Sequence, residues 1–241
     1  MNTKQLKKFA QASRIRLLED VKNRFLYWGI DQGGNVDYSV ETTTGGYVFR
    51  GGVYNDESVP KKWDNLLNAV KHHTPNDTIE EASYIWFNRL MAIMILEKNG
   101  YDDPALAYAG NGIDPVLLQN AKRGDTPQMD EQAKRQLQEY ITNSQDDEAL
   151  SLLLIHYCKN HKLLNRLFGQ IDDYTELLLP NNLLAKDGII ELINSDEFIT
   201  DDDYKEVELI GWLYQFYISD KKDDVFASFK KKQKARAEDI P

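Results

Sequence analysis

The sequence predicts a mainly α fold, a multi-helix globular domain with a small β-hairpin near residues 36–54. Apolar residues recur every three or four positions through most of the 241 residues, the mark of helices that bury one face. Capping and stop residues stand at the ends of those periodic segments. Six of the fourteen glycines fall within residues 33–52, where a helix is too costly to persist.

Residues 3–28 form the first expected helix. Leu6, Phe9, Ala10, Ser13, Leu17 and Val21 share one side, Lys4, Lys8, Gln11 and Lys22 the other, and Gly29 ends it. In the glycine-rich stretch, residues 36–40 and 47–54 hold the β-branched and aromatic residues between turn formers, hence the hairpin. Pro60 suits a first helical turn, Trp63, Leu66, Leu67 and Val70 form an apolar stripe, and Thr74-Pro75 stops it.

Thr78-Ile79-Glu80-Glu81 has the spacing of a capping box and predicts a helix from there to Asn99, with Gly100 as terminator. Apolar residues such as Ile85, Trp86, Leu90 and Met94 nearly surround it, so it belongs at the centre of the core. A short helix follows from Asp114-Pro115 to Ala121, another over 128–142, and a longer one over 146–167. Residues 171–179, 187–193 and 201–218 complete the set, the last opened by Thr200-Asp201-Asp202-Asp203, whose carboxylates suit a positive helix N-terminus. A short helix around Val225, Phe226 and Phe229 then gives way to a basic segment, which predicts a helical domain over 1–229 and a linker over 230–241.

Hydrophobic residues at 41% and aromatics at 11% exclude a disordered chain. The longest apolar stretches are far short of the roughly 18 residues of a membrane span. A single cysteine, Cys158, forms no internal disulfide, so a reducing, cytoplasmic setting is expected. The net charge of −10 repels nucleic-acid phosphates unless basic residues gather on one face. They do gather at both ends. Lys4, Lys7, Lys8, Arg14, Arg16, Lys22 and Arg24 face only Glu19 and Asp20 in the first thirty residues, and Lys230, Lys231, Lys232, Lys234 and Arg236 close the chain. The candidate DNA contacts are therefore that tail together with Lys4, Lys8 and Lys22, the alternative being solvated helix faces.

Catalytic signatures are sparse. His156, Cys158 and His161 lie about 200° and 140° apart on a helix and cannot share one metal, and the run Asp201 to Asp203 is explained by capping. Cys158 reads as a small core residue. Gly110-Asn111-Gly112 has the spacing of a cofactor-binding glycine loop, but no convincing strand precedes it, so it reads as loop punctuation. No two prolines are adjacent and no Glu-x-Lys occurs, so neither the base-holding motif of adenine methyltransferases nor the usual magnesium site of a nuclease is present. No catalytic, cofactor-binding or metal-ligating residue is assigned.

Trp86-Phe87-Asn88-Arg89-Leu90-Met91-Ala92-Ile93 through Glu97-Lys98-Asn99-Gly100-Tyr101 resembles the N-terminal region of the BREX phage-defence adenine-specific DNA methyltransferases, the PglX family. Met1 to Lys4 with Lys8-Phe9-Ala10, Leu154-Ile155-His156-Tyr157-Cys158, Ile171 to Pro180 and Ile210-Gly211-Trp212-Leu213-Tyr214-Gln215-Phe216-Tyr217-Ile218 with Lys221-Lys222 are similar to that family's segments in the same order. The ending Ala237 to Pro241 is similar to the point where those proteins enter their methyltransferase domain. The resemblance implies a parent that transfers a methyl group from S-adenosylmethionine to N6 of adenine in a DNA site. It marks host DNA while other BREX proteins block unmarked phage DNA. It implies for this chain a non-catalytic N-terminal domain without a cofactor of its own, positioning DNA or assembling the complex. The alternative is an interaction module for defence partners or phage-encoded inhibitors, and an N-terminal nuclease is a third reading without metal-ligand spacing to support it.

Overall fold

A computed structural model describes residues 2–108, 110, 114–168 and 173–230, with side chains as far as residue 219. The mainly α expectation holds. Helix α1 spans Thr3–Tyr27 and is capped by Asn2, whose Oδ1 accepts from the amides of Lys4 and Gln5 at 3.2 and 3.3 Å. A three-stranded antiparallel meander follows: β1 Glu41–Thr43, β2 Gly46–Phe49 and β3 Gly52–Tyr54, with Thr42 opposite Tyr47 and Val48 opposite Val53. Thus the predicted hairpin exists with one more strand. Residues 36–40 do not form its first strand, because the Asp37 amide donates instead to the Gly29 carbonyl at 2.7 Å. At Gly46 a Cβ would sit 1.9 Å from the Tyr54 carbonyl oxygen, so only glycine lets these strands approach.

Helices α2 Val59–His72, α3 Pro75–Lys98, α4 Val116–Lys122, α5 Glu131–Thr142, α6 Asp146–Asn160, α7 Lys162–Phe168, α8 Ile189–Ile193 and α9 Leu209–Lys230 complete the chain. Helix α3 opens four residues before the expected box. Thr74 and Asp77 form the reciprocal cap, because Pro75 supplies a first turn that needs no amide partner. The helix expected over 146–167 is two: His161 is extended, its Nδ1 accepts from the Leu164 amide at 3.2 Å, and Nε2 meets Asp102 at 2.7 Å. Thr200 and Asp203 bond each other reciprocally ahead of only a 3-10 turn over Asp203–Lys205, and α9 starts at Leu209 and runs unbroken past 218, since no glycine or proline interrupts 219–224.

Two apolar clusters form the interior. The larger joins the first half of α1 to α3, α4, α6, α8 and α9, with Trp86 fully enclosed. The smaller joins the end of α1 and Trp28 to the sheet, α2 and Leu177-Leu178. Between them, residues 173–180 run irregularly, with only a 3-10 turn where a helix was expected. Indoles satisfy the carbonyls there: Trp28 Nε1 donates to Leu177 O at 2.7 Å and Trp86 Nε1 to Thr175 O at 2.8 Å. Lys62 and Lys159 converge on Glu176 of the same segment at 2.7 and 2.9 Å.

Burial pushes the carboxyl pKa values of Asp20, Glu97 and Asp147 up, so the folded chain takes up protons before the unfolded one as pH falls from neutrality. Their effect on stability is therefore most favourable when they are protonated and declines as pH rises through the folded values. Asp31 and Asp130 behave oppositely, held down by hydrogen bonds from Asn35 and from the Ala133 amide, and cost stability only on further acidification below the carboxylate range. His156, whose pKa burial lowers, opposes them as pH falls from neutrality, so in a His156→Gln variant the melting temperature is expected to peak on the acid side of pH 7. A scan of that variant's melting temperature against pH that falls monotonically from pH 7 downward would contradict this.

Candidate nucleic-acid interface

Helical geometry at about 100° per residue places Lys4, Lys8 and Lys22 within roughly 40° of one another, along about 27 Å of α1. Lys4 and Lys8 are exposed and Lys22 is half-buried. Ile15, exposed on the same stripe at 64%, is the apolar residue between them. The opposite face of α1 packs into the core through Leu6, Phe9, Leu17 and Val21, which fixes the stripe outward.

Several cations elsewhere are neutralised by carboxylates. Arg14 pairs with Glu80 at 2.5 Å, Arg16 with Asp20 at 2.8 Å, and Lys122 lies between Asp114 and Asp146, both at 2.8 Å. Among the described residues no carboxylate pairs with Lys4, Lys8 or Lys22. The structure thus brings these three candidates together. Lys230 ends α9, and Lys231, Lys232, Lys234 and Arg236 lie outside the described residues.

A second cationic surface went unread in the sequence. The Arg50 guanidinium lies 4.4 Å from the Tyr38 ring centroid and 5.5 Å from that of Tyr27, while Arg24 lies 4.6 Å from Tyr27 on the same cluster. Arg50 Nη2 donates to Leu26 O at 3.3 Å, and neither arginine has a carboxylate partner among the described residues. The sequence signal was an arginine in a turn, Phe49-Arg50-Gly51-Gly52, between tyrosine-rich strands.

The described residues on either side of the glycine loop pair with one another. Residues around Gly110 are closed by an antiparallel bridge between Tyr108 and Pro115 and by Val116 N donating to Ala107 O at 3.0 Å. Asn111 and Gly112 lie outside the described residues. A cleft of about 510 Å³ beside it is lined by Lys98, Tyr108, Asn194, Asp196, Asp201 and Asp202. There Lys98 pairs with Asp201, and Lys205 with Asp202 at 3.1 Å. Cys158 is buried, and burial pushes its thiol up to about 12. Burial lowers the His156 pKa, and His161 is committed to Asp102. Asp102 itself is pushed up by burial but held lower overall by hydrogen bonds from Tyr157 and His161. Among the described residues no group of three or more metal-ligating side chains converges, and no helix is long and apolar enough to cross a membrane.

No family model matches the chain. It is 34% identical over its whole length to the adenine-specific methyltransferase BrxX of Escherichia coli O9:H4 (strain HS). It is 28% identical, again over its whole length, to the adenine-specific methyltransferase PglX of Lacticaseibacillus casei (strain Zhang). The chain spans only 20% and 21% of the lengths of these relatives. Matched from end to end to about a fifth of each, the chain is similar over its whole length to one region of these adenine-specific methyltransferases.

Proposed function

We propose that this chain is a non-catalytic helical domain of a BREX DNA adenine-N6 methyltransferase and that it positions DNA for the rest of the protein. Residues 1–229 act as the helical unit and 230–241 as a basic linker toward the methyltransferase domain. S-adenosylmethionine serves the parent protein, and other BREX proteins and phage-encoded inhibitors are its further partners. The observation that carries the reading is the alignment of Lys4, Lys8 and Lys22 on one outward stripe of α1, with no carboxylate paired to them among the described residues. The antiparallel closure around Gly110 supports a domain without its own cofactor site, since dinucleotide-type loops follow a parallel strand.

Phosphate contacts from three lysines give affinity that falls with salt and little sequence preference. Changing Lys4, Lys8 and Lys22 together to Gln is expected to lower duplex affinity and to flatten the slope of log K against log salt by about 2–3. Fluorescence anisotropy on a labelled duplex checks this, and an unchanged slope removes the stripe from DNA contact. Saturable S-adenosylmethionine binding by the chain would overturn the non-catalytic reading. A second reading, a protein-interaction module, is favoured by Val207, Ile210 and Tyr214, exposed at 95%, 62% and 52% around the start of α9. Binding of a BREX protein or inhibitor that is unchanged in the triple lysine variant would favour it.

A further inference from the structure

The Arg50 surface is built unlike a simple solvated arginine. Arg50 adopts φ +50° and Gly51 φ +80°, a turn whose first position an arginine occupies only at a cost in backbone strain. The guanidinium lies over Tyr38, Tyr27 and Phe49, where Nη2 donates to the Leu26 carbonyl at 3.3 Å. Most of its five donors are thus not taken up by that bond.

The neighbouring rings are held from the inside. Tyr38 carries Arg50 against one face, and Tyr54 stacks on the buried Tyr47 at 4.9 Å with an interplanar angle of 18°. Both rings remain open outward, Tyr38 at 49% and Tyr54 at 40% exposure. Tyr27, at 38%, joins them, with the Arg24 and Arg50 guanidinium groups 4.6 and 5.5 Å from its ring centroid. Fixed aromatic faces beside a carboxylate-free guanidinium match two parts of one ligand, a π-faced base and its phosphate. A duplex keeps its base faces stacked away, whereas an unpaired strand presents them.

We propose that Tyr38, Tyr54 and Arg50 form a binding site for an unpaired nucleic-acid strand. Bases stack on the open tyrosine faces and the Arg50 guanidinium meets the phosphate. The site is separate from the lysine stripe, so it stands whether or not α1 contacts duplex DNA.

The test is anisotropy of labelled oligothymidylate and oligouridylate, and of a duplex of equal length, with the full 241-residue chain at low salt. The wild type is expected to bind at least one of the single strands more tightly than the duplex. Arg50→Gly should weaken that binding roughly tenfold while the melting temperature holds or rises, because glycine relieves the positive φ. Tyr38→Ala, at an exposed loop position, should weaken it by a similar factor, and the Lys4, Lys8, Lys22 to Gln variant should retain it. Loss of single-strand binding in Tyr38→Ala with an intact melting transition supports the site even where Arg50→Gly disturbs the fold. The proposal is overturned by no saturable binding of either strand, by binding that survives both the Arg50 and Tyr38 changes, or by equal affinity for strand and duplex.

Discussion

Trp86→Ala is expected to destabilise the fold by about 4 kcal/mol, the largest effect of any single change considered. The ring is fully enclosed in the larger cluster, and its loss opens a cavity that α1, α3 and α6 cannot close without moving their own packed side chains. It also removes the shorter of the two hydrogen bonds to the Thr175 carbonyl, the indole at 2.8 Å, and leaves that from the Leu178 amide at 3.2 Å. Trp86→Phe keeps most of the volume and loses the indole donor, so it should cost about 1–2 kcal/mol. Urea unfolding of the three proteins separates the two contributions. A Trp86→Ala cost below about 1 kcal/mol would mean that the segment at 173–180 is not held as described.

Glu97→Ala should cost about 2–4 kcal/mol. Glu97 Oε2 accepts from the amides of Ala105 and Leu106 at 2.6 and 3.0 Å and so ties the chain after α3 back onto that helix. Removing it leaves two donors without an acceptor at positions that are themselves buried. Glu97→Gln retains one acceptor and removes the desolvated charge, so its cost should be much smaller. Faster hydrogen exchange at Ala105 and Leu106 in the Ala variant, but not in the Gln variant, locates the effect. Equal stability of both variants would show that the two amides find other acceptors.

Local signals in the sequence predict the local features of the fold. Helix α1 is legible because Asn2 caps it, Leu6 to Val21 keep one period and Gly29 ends it. Two adjacent boxes, Thr74 with Asp77 and Thr78 with Glu81, compete for the start of α3, and Pro75 decides between them. The break at His161 is not legible, because the carboxylate that holds the imidazole comes from Asp102, 59 residues away. Nor is the irregular path of 173–180, since the donors that make it tolerable belong to Trp28 and Trp86. The same division applies to the candidate interface. Periodicity puts Lys4, Lys8 and Lys22 on one stripe, whereas Tyr27, Tyr38, Arg50 and Tyr54 meet only after the sheet folds against the end of α1.

Cys158, a thiol with no exposure on the inner side of α6, gives the molecule a clock. At neutral pH its sulfur is protonated as well as enclosed, so a thiol reagent reacts only with molecules that have opened. With a single cysteine in the chain, one modification counts one opening event. The labelling rate without denaturant then reads how often α6 leaves the core, and the difference between that rate and the global unfolding rate tells whether the helix departs alone or with the whole fold.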